Sequence, residues 1–250
     1  MSSPKIHLLT FGAGPDYSGS LAKIHEEAQS APLFDEIHAW NEGNVHDSIF
    51  WDKHKDFISA NPRGWGYWIW KSFVTLKLLT QIGDNDIIVY MDAGCQLNIN
   101  DRSLSRLQNY VDIVKNSPYG ILSFSLRYFT DSRFTKMDVA HALDATELMD
   151  SKQLVGGVYV VRKCHHVLSL FNEFYDICCS QNYHLIDDSP SVATNAPDFQ
   201  EHRHDQSVFS LLRKKRGTEI IEDETFWGPP FFDWKQGHIY PIWARRRKIP

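Results

Sequence analysis

The stretch that decides the fold is Ile87-Ile-Val-Tyr-Met91, which leads directly into Asp92-Ala-Gly94. Five consecutive apolar residues predict a short strand that is buried on both faces, as strands are in parallel sheets. A turn-forming segment, Gly83-Asp-Asn-Asp86, precedes the run and marks where the strand begins. Because ligands bind beyond the carboxyl ends of strands in open α/β sheets, the sequence puts Asp92 at a candidate functional edge.

Segments on both sides of this strand extend the same pattern. Further strands are predicted at residues 5–11, 34–40, 120–126 and 154–161. Helices are predicted at residues 20–31, with Ser20 as the N-cap, and at residues 68–82, 167–179 and 206–214. Loops are expected at the glycines that follow the first strand and at residues 189–199, which are rich in Pro, Ser, Asn and Asp. We therefore expect one α/β domain over residues 1–250, with a mostly parallel, Rossmann-like central sheet flanked by helices and an irregular C-terminal part from about Thr225.

The composition is that of a globular protein, with 42% hydrophobic and 23% charged residues. A net charge of -5 argues against a nucleic-acid-binding surface. The four cysteines lack the spacing of a disulfide framework or a zinc ribbon, and the sequence shows neither a signal peptide nor an apolar run of 18 residues. These features predict a cytoplasmic protein. The basic segment Arg245 to Lys248 is either a solvated end, a phosphate contact or a peripheral contact with an anionic membrane.

Asp92 is the first candidate for chemistry. Its neighbours Ala93 and Gly94 are small, so a bulky ligand can approach the backbone there. A carboxylate at this place can hold Mg²⁺ or Mn²⁺, and such an ion can neutralise a diphosphate leaving group. The structural alternative is an aspartate that only caps a helix or a turn.

A second candidate is the segment from Arg63 to Lys71, with three tryptophans, one tyrosine and two cations in nine residues. Aromatic faces can stack on sugars and bases, and arginine and lysine bind phosphate. The alternative is that Trp68 and Trp70 belong to the core and the cations to the surface.

Two further features come later in the chain. Gly156 and Gly157 interrupt a predicted strand, where paired glycines mark either the close approach of a ligand or backbone, or a bulge. Asp205 precedes an apolar helical segment, so it either caps that helix or presents a carboxylate to a substrate.

These motifs, in this order, resemble those of bacterial and large-virus glycosyltransferases with the GT-A (nucleotide-diphospho-sugar transferase) fold. The matching segments are Arg63-Gly-Trp-Gly-Tyr-Trp-Ile-Trp-Lys71, Ile88-Val-Tyr-Met-Asp-Ala-Gly-Cys95, Gln153-Leu-Val-Gly-Gly157 and His204-Asp-Gln206. The resemblance implies transfer of a hexosyl or pentosyl group from a nucleoside-diphosphate sugar, with a UDP-sugar favoured, to a hydroxyl of a glycan or saccharide.

The resemblance also implies roles for individual residues. Asp92 takes the place of the metal-binding Asp-x-Asp motif, but Gly94 replaces the second aspartate, so we expect His238 to be the further ligand to Mn²⁺ or Mg²⁺. Asp205 resembles the catalytic aspartate of the Asp-Gln pair beside the sugar. The residues expected in the donor site are Thr10, Phe11, Gly12, Arg63, Lys71, Asp92, Ala93, Gly94, Gly156, Gly157 and Gln206.

Several alternatives stay open. A sugar nucleotidyltransferase would have a basic glycine-rich loop, and Gly12-Ala-Gly-Pro-Asp16 has no neighbouring arginine or lysine. The missing second aspartate is also compatible with a non-catalytic module that binds a glycan or nucleotide. In an inverting transferase Asp205 would deprotonate the acceptor, and in a retaining one it would stabilise the cationic sugar.

Overall fold

The computed structural model describes residues 3–225 and 237–249. The strands in these residues are β1 (Ile6–Phe11), β2 (Glu36–Trp40), β3 (Ile87–Met91), β4 (Gln96–Leu97), β5 (Ile121–Thr130), β6 (Lys152–Leu154), β7 (Val158–Arg162), β8 (Glu219–Glu222) and β9 (Ile242–Trp243). The α-helices are α1 (Ser18–Gln29), α2 (Gly43–His46), α3 (Ile49–Ala60), α4 (Gly64–Tyr67), α5 (Trp70–Gln81), α6 (Asp101–Asn116), α7 (Asp131–Phe134), α8 (Met137–Ala142), α9 (His165–Cys179) and α10 (Asp205–Arg216). Short 3-10 helices occur at Pro15–Tyr17, Thr146–Leu148 and Gln181–Tyr183.

A central sheet organises the molecule. Its strand order is β2-β1-β3-β7-β5-β6, and β8 also pairs with β5. The pairs β1–β2, β1–β3 and β5–β8 are parallel, whereas β7 runs antiparallel to both β3 and β5, and β6 runs antiparallel to β5. The predicted α/β class is confirmed, with helices on both faces of this sheet.

The strand β3 is buried along its whole length, as the apolar run predicted. Ile88 and Tyr90 pack on one face of the sheet, in a core that includes residues of α5 and α9. Ile87, Val89 and Met91 pack on the other face, in a core with residues of α1 and α6. The strand therefore holds the residue that follows it, Asp92, rigidly at the edge of the sheet.

Two predictions about local structure were wrong. Ser20 does not cap α1, because the helix begins at Ser18 with Tyr17 as its N-cap. The Ser20 side chain lies inside the helix and its Oγ instead accepts the backbone N–H of Ile249, at 3.0 Å. The strand predicted at residues 154–161 is two strands, because the segment with Gly156 and Gly157 leaves the sheet between β6 and β7.

The irregular C-terminal part was predicted from about Thr225. Residues 226–236 of it lie outside the described residues, and in the C-terminal segment, residues 237–249, the one strand is β9. This segment packs against the body of the protein through Arg247, whose Nη1 lies 2.9 Å from Glu27 Oε1. Lys248 lies 3.2 Å from Asp16. Within the described residues, none of the helices is long and apolar enough to cross a membrane. A peripheral membrane contact of this segment stays a prediction.

Candidate active site

A buried lysine joins two carboxylates at the carboxyl end of β3. Asp92 follows the last residue of β3, Lys71 lies in the first turn of α5, and Asp205 is the first residue of α10. The Nζ atom of Lys71 lies 3.3 Å from Asp92 Oδ1 and 2.8 Å from Asp205 Oδ2. It also donates a hydrogen bond to the carbonyl of Gly156 at 3.2 Å. Four of the residues predicted for the site therefore meet, although they are far apart in sequence.

Exposure distinguishes the two carboxylates. The Asp92 side chain is 37% exposed, whereas those of Asp205 and Lys71 are 6% and 2% exposed. Asp92 therefore reaches the solvent, whereas Asp205 lies behind the lysine. Asp205 follows the N-cap residue of α10, His204, and its carboxylate accepts the backbone N–H of Gln206. Asp205 is therefore not the N-cap residue, and it also forms the short ion pair with Lys71.

Lys71 and Asp205 keep each other ionised. Burial acts to lower the pKa of Lys71, but the neighbouring Asp205 and Asp92 outweigh it, and the pKa is raised. Burial raises the pKa of Asp205 to about 6, and the Lys71 ammonium limits that rise. At neutral pH the Lys71–Asp205 pair is therefore an ion pair, and removing one partner would leave an uncompensated buried charge.

Gly156 and Gly157 make room for these side chains. A Cβ atom on Gly157 would lie 2.5 Å from Asp92 Oδ2, so any other residue at this position would displace the Asp92 carboxylate. A Cβ atom on Gly156 would lie 2.8 Å from the Cβ of Gln206. The backbone N–H of Gly156 donates to Gln206 Oε1 at 3.0 Å. The glycine pair thus allows the first turn of α10 and the Asp92 carboxylate to approach the same backbone.

The first βα loop lies beside the Asp92 segment. A Cβ atom on Gly12 would lie 3.2 Å from the Cβ of Ala93. Thr10 and Phe11 are buried, and the Phe11 ring packs 4.3 Å from the ring of Trp70. The side chains of Thr10 and Phe11, the last two residues of β1, are therefore buried in the core. Gly12 stands against Ala93, next to the candidate active site.

Gly94 has a packing role that the sequence did not reveal. A Cβ atom there would lie 3.1 Å from the Cα of Arg246, and the carbonyl of Gly94 accepts the backbone N–H of Arg247 at 2.8 Å. The C-terminal segment thus lies across the position where the Asp-x-Asp motif has its second aspartate. This contact gives a structural reason for a small residue at this position.

Gln206 belongs to a buried polar network that the sequence gave little reason to expect. Its Nε2 donates to Gln153 Oε1 at 2.7 Å, and Gln153 Nε2 in turn donates to Asp131 Oδ1 at 3.1 Å. Asp131 is fully buried and also contacts Lys214 and Ser210. Gln153 stood in the family-like motif but had no assigned role, and Asp131 and Lys214 carried no signal, because only the fold brings them together.

Comparison with known proteins bears on the fold. No protein-family model and no curated protein matches the chain. A solved structure of a glycosyltransferase involved in glycosylation of the major capsid of PBCV-1 is similar, with a TM-score of 0.53 and 10% identity over 96% of this chain and 91% of that one. The chain has the GT-A fold. Mouse xyloside xylosyltransferase 1 is also similar, with a TM-score of 0.49 and 14% identity over 98% of this chain and 100% of that one. An active-site mutant of LgtC has a TM-score of 0.46 and 13% identity over 89% of this chain and 75% of that one.

In this GT-A fold the residues from Arg63 to Lys71 lie in different surroundings. Lys71 is in the site, whereas Trp70 is buried in the core. The ring of Trp65 stacks on that of Trp51, with centroids 5.6 Å apart. Arg63 is 55% exposed and its Nη1 lies 3.1 Å from Asp188 Oδ2. Its predicted contact with a donor would therefore have to compete with that carboxylate.

The two residues predicted as metal ligands, Asp92 and His238, differ in how well their surroundings fit that role. The carbonyl of His238 accepts hydrogen bonds from Asn98 and Asn100, and its Nε2 lies 3.3 Å from Arg102 Nη1. A guanidinium so close to the ring disfavours a metal cation there, and the role of His238 as a ligand stays a prediction. Asp92 fits better, because Mg²⁺ is commonly bound by one or two carboxylates together with substrate phosphates.

Proposed function

We propose that this chain is a glycosyltransferase that moves a hexosyl or pentosyl group from a nucleoside-diphosphate sugar, with a UDP-sugar favoured, to a hydroxyl of a glycan or saccharide. The observation that carries the proposal is the Lys71 ammonium between Asp92 and Asp205, at the carboxyl end of β3 in a GT-A fold. A fixed cation beside an exposed carboxylate can bind an anionic diphosphate and stabilise the charge that develops as it leaves.

The two contacts of Lys71 suggest how the donor enters. The contact with Asp205 is short and buried, whereas that with Asp92 is longer and partly exposed. A phosphate arriving from solvent would compete with Asp92 for the ammonium, and Asp205 would keep the lysine in place. If Mg²⁺ or Mn²⁺ is bound, Asp92 would hold it, and the ion would neutralise diphosphate charge.

Asp205 has two possible roles in this proposal, and its burial favours the indirect one. Because 6% of its side chain is exposed, it acts first by holding the Lys71 ammonium toward the donor. Direct contact with the sugar or the acceptor, which the Asp-Gln resemblance implies, requires Lys71 or Gln206 to move away. Both roles predict a loss of turnover when the Asp205 charge is removed.

The proposal is tested by incubating the protein with a panel of nucleotide sugars and measuring the nucleotide that is released. A transferase should release nucleoside diphosphate slowly even without an acceptor, and Asp92→Asn should abolish this release. Asp84→Asn is a matched control, since its carboxylate is 88% exposed on the turn before β3. A nucleotidyltransferase would instead need a nucleoside triphosphate and release pyrophosphate, and a binding module would release nothing, so either result would overturn the proposal.

A further inference from the structure

A second cluster of polar side chains lies at the other end of the sheet. His7 is on β1, and Glu36 and His38 are on β2. In the parallel register His7 stands opposite Glu36, and Leu9 stands opposite His38. Because side chains alternate along a strand, His7, Glu36 and His38 share one face. His7 also stands opposite Ile88, so it lies roughly 13 Å from Asp92 along the strand direction.

The ligand atoms of these three residues have the spacing of a metal site. His7 Nδ1 lies 3.2 Å from His38 Nε2 and 3.6 Å from Glu36 Oε2, and His38 Nε2 lies 3.7 Å from the same oxygen. In a tetrahedral zinc site with bonds of about 2.0–2.2 Å, neighbouring ligand atoms are roughly 3.3–3.6 Å apart. The three atoms therefore stand close to the corners of one face of such a tetrahedron.

The surroundings of His7 are suitable for a metal ligand. His7 is 2% exposed, and its Nε2 is buried without a hydrogen-bond partner. Asp86 Oδ2 is 3.5 Å from that nitrogen. A metal on Nδ1 would require the proton to be on Nε2, facing the Asp86 carboxylate. A metal-bound histidine usually directs its other ring N–H to a carboxylate or a carbonyl in this way.

The Glu36 carboxylate is also held in a suitable way. Its Oε1 accepts a hydrogen bond from Lys5 Nζ at 2.8 Å, and this leaves Oε2 directed at the two imidazoles. The Glu36 and His38 side chains are 44% and 18% exposed, so a water molecule can complete the coordination. Among the residues that the structure describes, this is the cluster of three His, Cys, Asp or Glu side chains close enough to share a metal ion.

We propose that His7, Glu36 and His38 bind a divalent transition-metal ion, with Zn²⁺ favoured by the two imidazoles, the single carboxylate and the near-tetrahedral spacing. The ion would fasten β2 to β1. In the described sheet β2 is an edge strand that pairs with β1 alone, so a metal there would stabilise the margin of the sheet. This site is separate from the one at Asp92 and does not depend on sugar transfer.

The test is calorimetric titration of chelator-treated protein with ZnCl₂, together with thermal melting at each metal ratio. We expect one Zn²⁺ ion per chain and a rise in Tm. The variants His38→Gln and Glu36→Gln remove ligands that are partly exposed, so folding should be retained and is checked by circular dichroism. Each should weaken binding by at least roughly 10–100-fold, which is the typical effect of removing a side chain that only hydrogen-bonds to a metal ligand.

His165→Gln is the matched control, because His165 is an exposed histidine on α9, outside the cluster. It should bind Zn²⁺ as the wild type does. The proposal is overturned if the wild type takes up no Zn²⁺, or if folded His38→Gln and Glu36→Gln proteins bind it with wild-type affinity and stoichiometry. No nucleotide is used, so failure here leaves the proposed transferase activity untouched.

Discussion

Lys71 is the residue on which the candidate active site depends. Its ammonium is the shared partner of Asp92 and Asp205. Without the ammonium, these two carboxylates would lie close together and repel each other. The sequence predicted Lys71 either in the donor site or at the surface, and neither interpretation predicts a buried charge. The structure changes this expectation. The Lys71 side chain is 2% exposed and is paired with the buried Asp205, so removing the lysine would leave the Asp205 carboxylate buried without that partner.

We expect Lys71→Met to lower the free energy of unfolding by about 3–5 kcal/mol, the range typical for breaking a buried ion pair. The double variant Lys71→Met/Asp205→Asn removes both charges of the closer pair and should recover much of that loss. Urea denaturation measures both. Lys115→Met, which removes an exposed lysine on α6, serves as the control. If the double variant were less stable than the single one, the Lys71–Asp205 pair would not be the source of the effect.

The two aspartates should affect different kinetic parameters. Asp92 is exposed, so Asp92→Asn should weaken donor binding and remove any metal dependence. Asp205 is buried behind Lys71, so Asp205→Asn should leave donor binding largely intact but lower kcat, by about 10²-fold if it acts in the chemical step. Steady-state kinetics with varied donor, and calorimetry of donor binding, measure the two effects separately.

A pH profile is the control for the role of Asp205. With its pKa raised to about 6, protonation below that pH removes the anionic partner of Lys71. Activity of the wild type should therefore fall as the pH drops through about 6, and this dependence should be absent in Asp205→Asn. Full turnover in Asp205→Asn would contradict both proposed roles. Lost helix capping does not explain a defect, because the N-cap of α10 is His204 and asparagine can accept the same backbone N–H as aspartate.

At the scale of elements, the sequence predicted what local pattern determines. The continuous apolar run predicted both ends of β3 correctly, because a strand that is buried on both faces has an apolar residue at every position. The helices at α5 and α9 were predicted to within two residues at each end, since helical spacing is also local. The pairing of Lys71 with Asp205 was not predicted, because 134 residues separate them and only the fold brings α5 and α10 together.

The segment between β6 and β7 shows where a local pattern misleads. Its apolar residues resemble one continuous strand, but the two glycines leave the sheet to meet Asp92 and Gln206. We expect Gly157→Ala to displace the Asp92 side chain, because the new methyl group would stand 2.5 Å from Asp92 Oδ2. Asp92 is partly exposed and can turn outward, so the protein should fold while the donor KM rises by about tenfold or more, equivalent to roughly 1.4 kcal/mol.

Gly43→Ala is the control for this substitution. Gly43 lies in α2, where a Cβ atom would meet only the end of the Asn41 side chain, at 3.1 Å. That variant should have wild-type donor kinetics. An unchanged donor KM in a well-folded Gly157→Ala protein would show that the position of Asp92 is not critical for donor binding.

At the scale of the whole molecule, the sheet carries distinct polar sites at its two ends. Lys71, Asp92 and Asp205 lie at the carboxyl end of β3, and the His7 cluster lies beside the start of that strand. A metal ion added to the protein could act at either end, so the two effects have to be separated. The His38→Gln protein provides the means, because it lacks one ligand of the proposed zinc site and keeps all three charges around Asp92.

In that background we expect UDP or a related nucleoside diphosphate to stabilise the fold, because the Lys71 ammonium and the Asp92 edge offer a site for its phosphates. A ligand at 100 times its Kd should add about 2.7 kcal/mol, which for a chain of this size raises the Tm by roughly 5–10 °C. Mn²⁺ or Mg²⁺ should tighten nucleotide binding, and Asp92→Asn should abolish that increment while Lys71 still supports binding without metal. Thermal melting and calorimetry in EDTA and in Mn²⁺ make the comparison. Equal affinity in both would refute Asp92 as a metal ligand and would leave the Lys71 ammonium to neutralise the diphosphate by itself.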